Sequence, residues 1–310
     1  TVTVIGAGTM GHAIASVFAQ GGNVVFLTDI SEGVLKQARQ LITSHLETLA
    51  HSEELKEVPD EIMRRIVTST DYKLFARESD LVIEAIIEDM EAKRKLFHEL
   101  TEHVGDRTIV ASNTSYLDIF PLAPASLQKR LLITHFFSPP YIIPLVEIVG
   151  SLETDPIIIS RVRDFLKSLG MTPVTLKKFI PGFIVNRLQR ALGREVLHMI
   201  DEGFADPEEI DRAVKASLGI RLPILGVVAR YDYAGLDMAV RALKAPSIGL
   251  AIEDRLSSTL LKLVEQGHLG VKTGKGFFDY SDKPLNEILR ERDIKLIQLR
   301  RILRNIREIQ

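Results

Sequence analysis

Two side chains of this sequence stand where chemistry is expected and structure alone gives little reason for them. His135 closes the apolar run Leu131-Leu132-Ile133-Thr134, and Glu147 lies inside Ile142-Ile143-Pro144-Leu145-Val146-Glu147-Ile148-Val149. A carboxylate in such a run needs a partner, because an unpaired buried charge is strongly unfavourable or forces the group to protonate. An imidazole on the preceding run supplies both the hydrogen bond and the countercharge. It is also the side chain that titrates near neutrality, at about pH 6.5 when unperturbed. Such a pair would do acid/base work: Glu147 fixes the ring tautomer and stabilises imidazolium, while the other ring nitrogen exchanges a proton with a substrate oxygen. The same two residues are also compatible with a buried structural pair. His12, His45 and His198 fall on helical faces, where no comparable logic singles them out.

A second chemistry is written in Gly6-Ala7-Gly8-Thr9-Met10-Gly11, which follows the apolar run Val2–Ile5 and opens a helical pattern. In that context the glycines permit a tight turn and close backbone approach to a pyrophosphate, whose charge meets free N–H groups at the helix start. Asp29 ends the next apolar run, where its carboxylate can accept hydrogen bonds from both adenosine ribose hydroxyls. Ile30 and Ser31 offer no cation for a 2′-phosphate, so the motif selects NAD over NADP. A Gly-rich turn with Asp29 capping the following helix is the competing reading. The nicotinamide would lie over the loops Ala85–Glu88 and Ser112–Ser115. Glu88 and Lys93, at a helix start, either reach the cofactor or face solvent, and Glu84 is open on the same terms. Hydride transfer from an alcohol to a nicotinamide releases one proton, which is the task the His135 position suits.

The elements that must hold these groups alternate in βαβ rhythm. Strand patterns at Val2–Ile5, Val24–Thr28, Leu81–Ala85, Thr108–Ala111, Leu131–His135, Leu145–Val149 and Pro173–Leu176 are separated by helical stretches. The pattern predicts a Rossmann-type, doubly wound α/β sheet followed by an all-α C-terminal domain. The helical stretch from Ser31 runs past His51 and resumes through Pro59–Ile66, longer than a crossover needs, and the excess is a candidate substrate-binding insertion. After Lys177, Lys178 and Pro181-Gly182 every long segment reads at helical period, which predicts an NAD-binding domain over 1–181 and a helical domain over 182–310. The last segment, Pro284 to Gln310, reads as one amphipathic helix rich in Arg and Lys, suited to lie on its own domain or a partner subunit.

Composition narrows the remaining classes. A net charge of -2 provides no field for nucleic acid, and no apolar run approaches the length of a membrane helix. Cysteine is absent, which excludes disulfides and thiolate chemistry and fits a reducing compartment. Thr1–Ile5 already reads as a strand rather than a targeting segment, so the expected location is cytoplasmic. No HExxH or His pair at ligand spacing is present, and no metal is expected.

Taken together these residues resemble the 3-hydroxyacyl-CoA dehydrogenase family over nearly the whole chain. The matching motifs, in order, are the Gly6–Gly11 loop with Asp29; Glu84-Ala85 with Glu88 and Lys93; Ser112-Asn113-Thr114-Ser115; and His135-Phe136-Phe137 with Glu147. They continue with Pro181-Gly182-Phe183-Ile184-Val185-Asn186-Arg187-Leu188 and Lys272-Thr273-Gly274-Lys275-Gly276-Phe277-Phe278. The resemblance implies NAD-dependent oxidation of (S)-3-hydroxyacyl-CoA, with His135 as acid/base and Glu147 as its orienter. It implies Ser115 and Asn186 bonding the reacting oxygen, Asn113 approaching cofactor or substrate, and a homodimer formed through the helical domain. Departures fall on the substrate side: Ser138-Pro139-Pro140-Tyr141 follows the His motif, and Arg221-Leu222-Pro223-Ile224-Leu225 replaces the family's usual stretch. Both look more like relatives acting on smaller hydroxy acids or alcohols without CoA. Lys36 and Arg39 are the candidate cations for a CoA handle, or else a solvated helix face. A protein that binds NADH without turnover is a third reading, against which the intact His135, Glu147 and Asn186 set argues.

Overall fold

A computed structural model describes residues 1–245, 248–251 and 253–306. The chain divides into two compact units, Thr1–Arg187 and Leu188–Gln310.

In the first unit the apolar runs become strands β1 (Val2–Ile5), β2 (Val25–Thr28), β3 (Ile66–Ser69), β4 (Leu81–Glu84), β5 (Ile109–Ser112), β6 (Leu131–Phe136), β7 (Leu145–Gly150) and β8 (Thr172–Leu176). Among the described residues they form one sheet in the order β3-β2-β1-β4-β5-β6-β7-β8. β1 to β6 are parallel, β7 runs antiparallel to β6, and β8 is parallel to β7. The strand order reverses between β1 and β4, so a crevice opens at their carboxyl ends, where doubly wound sheets bind ligands.

Helices α1 (Gly11–Gln20), α2 (Glu32–His51), α3 (Pro59–Arg64), α4 (Lys73–Ala76), α5 (Met90–His103), α6 (Ala125–Gln128) and α7 (Pro156–Ser168) connect the strands. α1 is buried along most of its length, with Ile14 and Phe18 fully enclosed. The Phe18 ring meets Phe136 edge-on at 6.1 Å and stacks on Phe165 at 5.8 Å. On the β4–β6 strands Val82, Val110, Leu131 and Ile133 pack with Phe97, Leu100 and Phe183.

One expectation fails at the edge of the sheet. The helical pattern carried through Ile66 stops at Arg64, and Ile66–Ser69 pairs with β2 as an outer strand. Only Ile66 of that strand is buried and Val67 is exposed. An edge strand that buries so little shows neither an apolar run nor an alternation, and Ile66 continued the period of α3.

The second unit is helical, as expected. It contains most of α8 (Val185–Asp201), then α9 (Pro207–Ala216), α10 (Leu218–Leu225), α11 (Ala229–Ala234), α12 (Leu236–Lys244), α13 (Ser258–Glu265) and α14 (Leu285–Asn305). The amphipathic segment read from Pro284 is α14, which buries Ile297, and its last four residues, 307–310, lie outside the described residues. Around the Lys272–Phe278 motif, Gly270 and Gly274 take φ of 85° and 76°, and a Cβ on Gly276 would lie 2.8 Å from the Gly270 Cα. That motif is backbone geometry.

Candidate active site

The Gly6–Gly11 loop leaves β1 and enters α1 under tight packing. A Cβ on Gly6, at φ +100°, would sit 2.4 Å from the Ala85 carbonyl oxygen, and one on Gly11 would sit 1.7 Å from the Gly6 oxygen. A Cβ on Gly8 would meet nothing within 4 Å. Two glycines therefore close the loop on itself and on Ala85, while the third leaves open room beside exposed Thr9 and half-buried Met10, the α1 N-cap. Asp29 stands one residue past β2. Its Oδ2 accepts from the Ala7 N–H at 2.9 Å and its Oδ1 from the Ser31 N–H at 3.1 Å. The Asp29 carboxylate thus ties the glycine loop to Ser31, and it is Ser31, accepting from the Val34 N–H, that caps α2.

Between these parts lies a cleft of about 500 Å³ lined by Gly6, Gly8, Asp29, Ile30, Ile86 and Tyr72, among others. Apolar walls with a carboxylate at one end fit an adenosine, and the open backbone at Gly8 fits a pyrophosphate, so these residues accommodate a dinucleotide. The Tyr72 hydroxyl donates to Glu99 Oε2 at 2.9 Å. Burial, then that carboxylate, pushes the phenol pKa up, so it stays a neutral donor.

His135 and Glu147 are directly opposite one another in the antiparallel β6–β7 pair, which is why two residues so spaced in sequence meet. The His135 Nδ1 to Glu147 Oε2 distance is 2.8 Å, with the His ring nearly buried and the carboxylate wholly so. Glu147 Oε1 accepts two further hydrogen bonds, from Ile184 N–H at 2.9 Å and Val185 N–H at 3.1 Å. Those amides open α8. A carboxylate accepting from amides at a helix start is charge-stabilised there, which holds Glu147 as an acceptor and leaves Nδ1 of His135 to donate. The turn that aims these amides is strained: Gly182 has φ +77° and Phe183, a bulky residue, φ +50°. Phe183 is buried, its ring 5.1 Å from the His135 ring, while Phe137 approaches from another side at 4.9 Å. The imidazole is thus fixed by one carboxylate and two aromatic rings.

Asn113 Oδ1 accepts from the Phe136 N–H at 2.9 Å, which pins the loop after β5 beside β6. The same loop abuts the head of α8, since a Cβ on Gly182 would lie 3.4 Å from Tyr116 Cε1 and 3.6 Å from Asn186 Cβ. The structure so places Asn113 beside β6, and Tyr116 and Asn186 beside Gly182 at the turn into α8. Glu88 accepts from the Thr114 hydroxyl and from the N–H groups of Ser115 and Tyr116. Burial alone would raise its pKa, but the Thr114 hydroxyl, Lys93 and those amides outweigh burial and hold the carboxyl below the usual range. Lys93, left by the sequence between a cofactor contact and a solvated face, is instead buried, with Nζ 2.6 Å from Glu84 Oε1 and 3.3 Å from Glu88 Oε2.

The sequence reading missed the Ile184 and Val185 amides, Phe183 and Ser112. Backbone donors have no letter of their own, yet the Pro181-Gly182 pair ahead of a helical run could have located the helix start that a buried Glu147 needs.

The family model "3-hydroxyacyl-CoA dehydrogenase, NAD binding domain" matches residues 1–179, and "3-hydroxyacyl-CoA dehydrogenase, C-terminal domain" matches residues 182–280. The chain is 32% identical over 303 residues, 97% of each protein, to 5-formyl-3-hydroxy-2-methylpyridine 4-carboxylate 5-dehydrogenase of Mesorhizobium japonicum. It is 38% identical over 289 residues, 90% of each, to the mitochondrial hydroxyacyl-coenzyme A dehydrogenase of Homo sapiens. A crystal structure of the pyridine-carboxylic acid 5-dehydrogenase, called an NAD+-dependent dismutase, superposes with a TM-score of 0.88 over 99% of both chains at 30% identity.

Proposed function

The chain belongs to the 3-hydroxyacyl-CoA dehydrogenase family and is an NAD-dependent oxidoreductase of that type, and from this premise we propose that it interconverts a 3-hydroxyacyl substrate and its 3-keto product, with (S)-3-hydroxyacyl-CoA as the substrate class. The observation that carries this reading is the 2.8 Å contact between His135 Nδ1 and the buried Glu147. NAD, held by Gly6, Gly8, Thr9, Met10, Gly11, Asp29 and the Ala85 loop, supplies the hydride acceptor in the oxidising direction. With Nδ1 donating to Glu147, Nε2 of His135 carries a lone pair and takes the hydroxyl proton as the carbonyl forms. Glu147 then faces an imidazolium, and its charge stabilises that state without itself gaining the proton. Ser115 and Asn186, as neutral donors, orient the reacting oxygen and stabilise alkoxide character without competing for the proton. In the reducing direction the imidazolium returns the proton to the oxygen.

A second reading, oxidation of a small hydroxy acid or alcohol without CoA, is favoured by specific observations. Of the two cations that a CoA handle would use, both are exposed, but Arg39 is turned back onto the protein, donating through Nη1 to the Ile66 carbonyl at 3.1 Å. Residues 47–65 hold Glu47, Glu53, Glu54, Glu57, Asp60 and Glu61 against Lys56, Arg64 and Arg65, a poor local field for a polyanionic handle.

A homodimer through the second unit belongs to the same proposal. Helices α10, α11 and α12 bury no residue of their own, and Ile220, Val228, Leu236 and Leu243 stand exposed, an apolar surface that a second copy would cover.

NADH oxidation with acetoacetyl-CoA, with acetoacetate and with an aromatic aldehyde acid separates these readings. A kcat/KM at least a hundredfold higher for the thioester supports the first and the reverse order supports the second. NADH binding with no turnover of any of the three refutes hydride transfer to this class of carbonyl.

A further inference from the structure

The carboxyl ends of β4 and β5 hold a charge network larger than either loop needs for stability. Glu84 and Ser112 are register partners at the strand ends, and both are fully buried. Glu84 Oε2 accepts from Ser112 Oγ at 2.5 Å, and its Oε1 accepts from Lys93 Nζ at 2.6 Å and from the Ile86 N–H at 2.9 Å. The Lys93 ammonium, on the first turns of α5 and 1% exposed, also reaches Glu88 Oε2. Glu88 in turn gathers Thr114 Oγ1 at 2.6 Å, Ser115 N–H at 2.8 Å and Tyr116 N–H at 3.1 Å. The loop is closed from behind as well. Asn113 N–H donates to the Glu84 carbonyl, Thr114 N–H to Ser112 Oγ, and Leu117 N–H to Thr114 Oγ1. Polar groups from Ser112 to Leu117 are therefore held, directly or through one hydroxyl, by two carboxylates that share one cation.

Buried ion pairs are weak contributors to stability, since apolar residues of like volume often do as well or better. Folding alone therefore gives little reason to place Glu84 and Lys93 here. What this pair achieves that an apolar pair would not is to fix Glu88, and Glu88 fixes the Ser115 turn. Asn113 on the same loop bonds the residue that follows His135. We propose that Lys93 and Glu84 are positioning residues: the buried ammonium locks the Glu88 carboxylate, and through it the Asn113–Tyr116 loop, in register with His135. Lys93 on this account touches neither cofactor nor substrate. The proposal rests on His135 as the proton-handling group, and it also has a consequence independent of turnover.

The test is the neutral pair Glu84→Gln with Lys93→Met, beside Lys93→Met alone. The single variant strands a buried carboxylate and should lower Tm markedly. The double variant strands none, so Tm should return to within a few degrees of wild type while Glu88 still lacks its cation. In the double variant, hydrogen exchange across residues 113–117 should quicken at least tenfold, and kcat should stay down at least tenfold with the NADH Kd within threefold of wild type. A double variant whose Tm, loop exchange and kcat all match wild type makes the pair merely structural and overturns the proposal. A kcat loss matched by lost NADH affinity overturns it in favour of a cofactor contact. If the double variant does not fold, Thr114→Val removes one Glu88 partner and no charge, along with the acceptor of the Leu117 N–H; faster exchange at the Ser115 and Tyr116 amides, which Glu88 itself holds, is then the expected result, and unchanged exchange at those two overturns the proposal. Failure of the functional reading looks different, because wild type and His135→Ala would then turn over equally poorly while the loop exchange still separated wild type from the double variant.

Discussion

Glu147→Gln changes one oxygen to an amide and asks how the site depends on charge and tautomer rather than volume. The Glu147 side chain is fully buried, with one oxygen on His135 and the other on two amides. A glutamine has one acceptor left. Turning its NH₂ toward Ile184 and Val185 would leave two buried N–H donors unsatisfied, at about 1–3 kcal/mol each. The favoured rotamer therefore keeps the oxygen on those amides and presents NH₂ to His135 Nδ1, which must then be the unprotonated nitrogen. The proton moves to Nε2, the nitrogen that has to accept one from the alcohol, and the countercharge for imidazolium is lost as well. Loss of both at comparable dyads lowers turnover by about 10³–10⁴, or roughly 4–5.5 kcal/mol of transition-state stabilisation. Because a substitution cannot change the overall equilibrium, kcat/KM at a given pH should fall by the same factor in the oxidising and the reducing direction. Initial rates from NADH absorbance in both directions, an NADH fluorescence titration and a melting curve measure all of this. Tm within a few degrees and NADH affinity within threefold are expected. Oxidation within tenfold of wild type in a folded Glu147→Gln protein refutes the tautomer reasoning.

Other perturbations read the remaining parts. Gly8→Ala adds a methyl into open space and should leave Tm unchanged while weakening NADH binding at least tenfold; Gly11→Ala meets the Gly6 carbonyl oxygen and should prevent folding, as expression and melting curves would reveal. Asp29→Ala should raise the KM for NAD about tenfold and narrow the preference for NAD over NADP, checked by paired steady-state assays. Burial lowers the His12 pKa despite the Gly8 carbonyl beside it, so the unfolded chain binds a proton that the folded chain refuses. Stability is then full above about pH 6.5 and falls as pH drops through the window below it, and His12→Asn should flatten that slope in melting curves taken from about pH 5 to 7. Sedimentation should find a dimer, and Leu236→Asp on α12 should shift it toward monomer if the second unit pairs with a second copy.

Where a residue type contradicts its surroundings, the sequence was readable. Glu147 in an apolar run and His135 at the end of another announced a pair, and the hairpin register brought them face to face. The Gly6–Gly11 loop and Asp29 were legible because strand, turn and helix follow in fixed order. Lys93 was not, because a lysine on the first turn of a helix looks the same whether it meets solvent or a buried carboxylate, and Glu84 decides which. β3 escaped for the opposite reason, as an edge strand with one buried residue that leaves no pattern. The amides of Ile184 and Val185 act through backbone, so only the fold could assign them to Glu147.

The central claim is that an imidazole at position 135 moves the proton while hydride moves to or from the nicotinamide. Single-turnover NADH formation by His135→Ala, with NADH binding measured on the same preparation, tests it most directly. The expected result is a rate at least a hundredfold below wild type with Kd changed less than threefold; a rate within tenfold of wild type contradicts it.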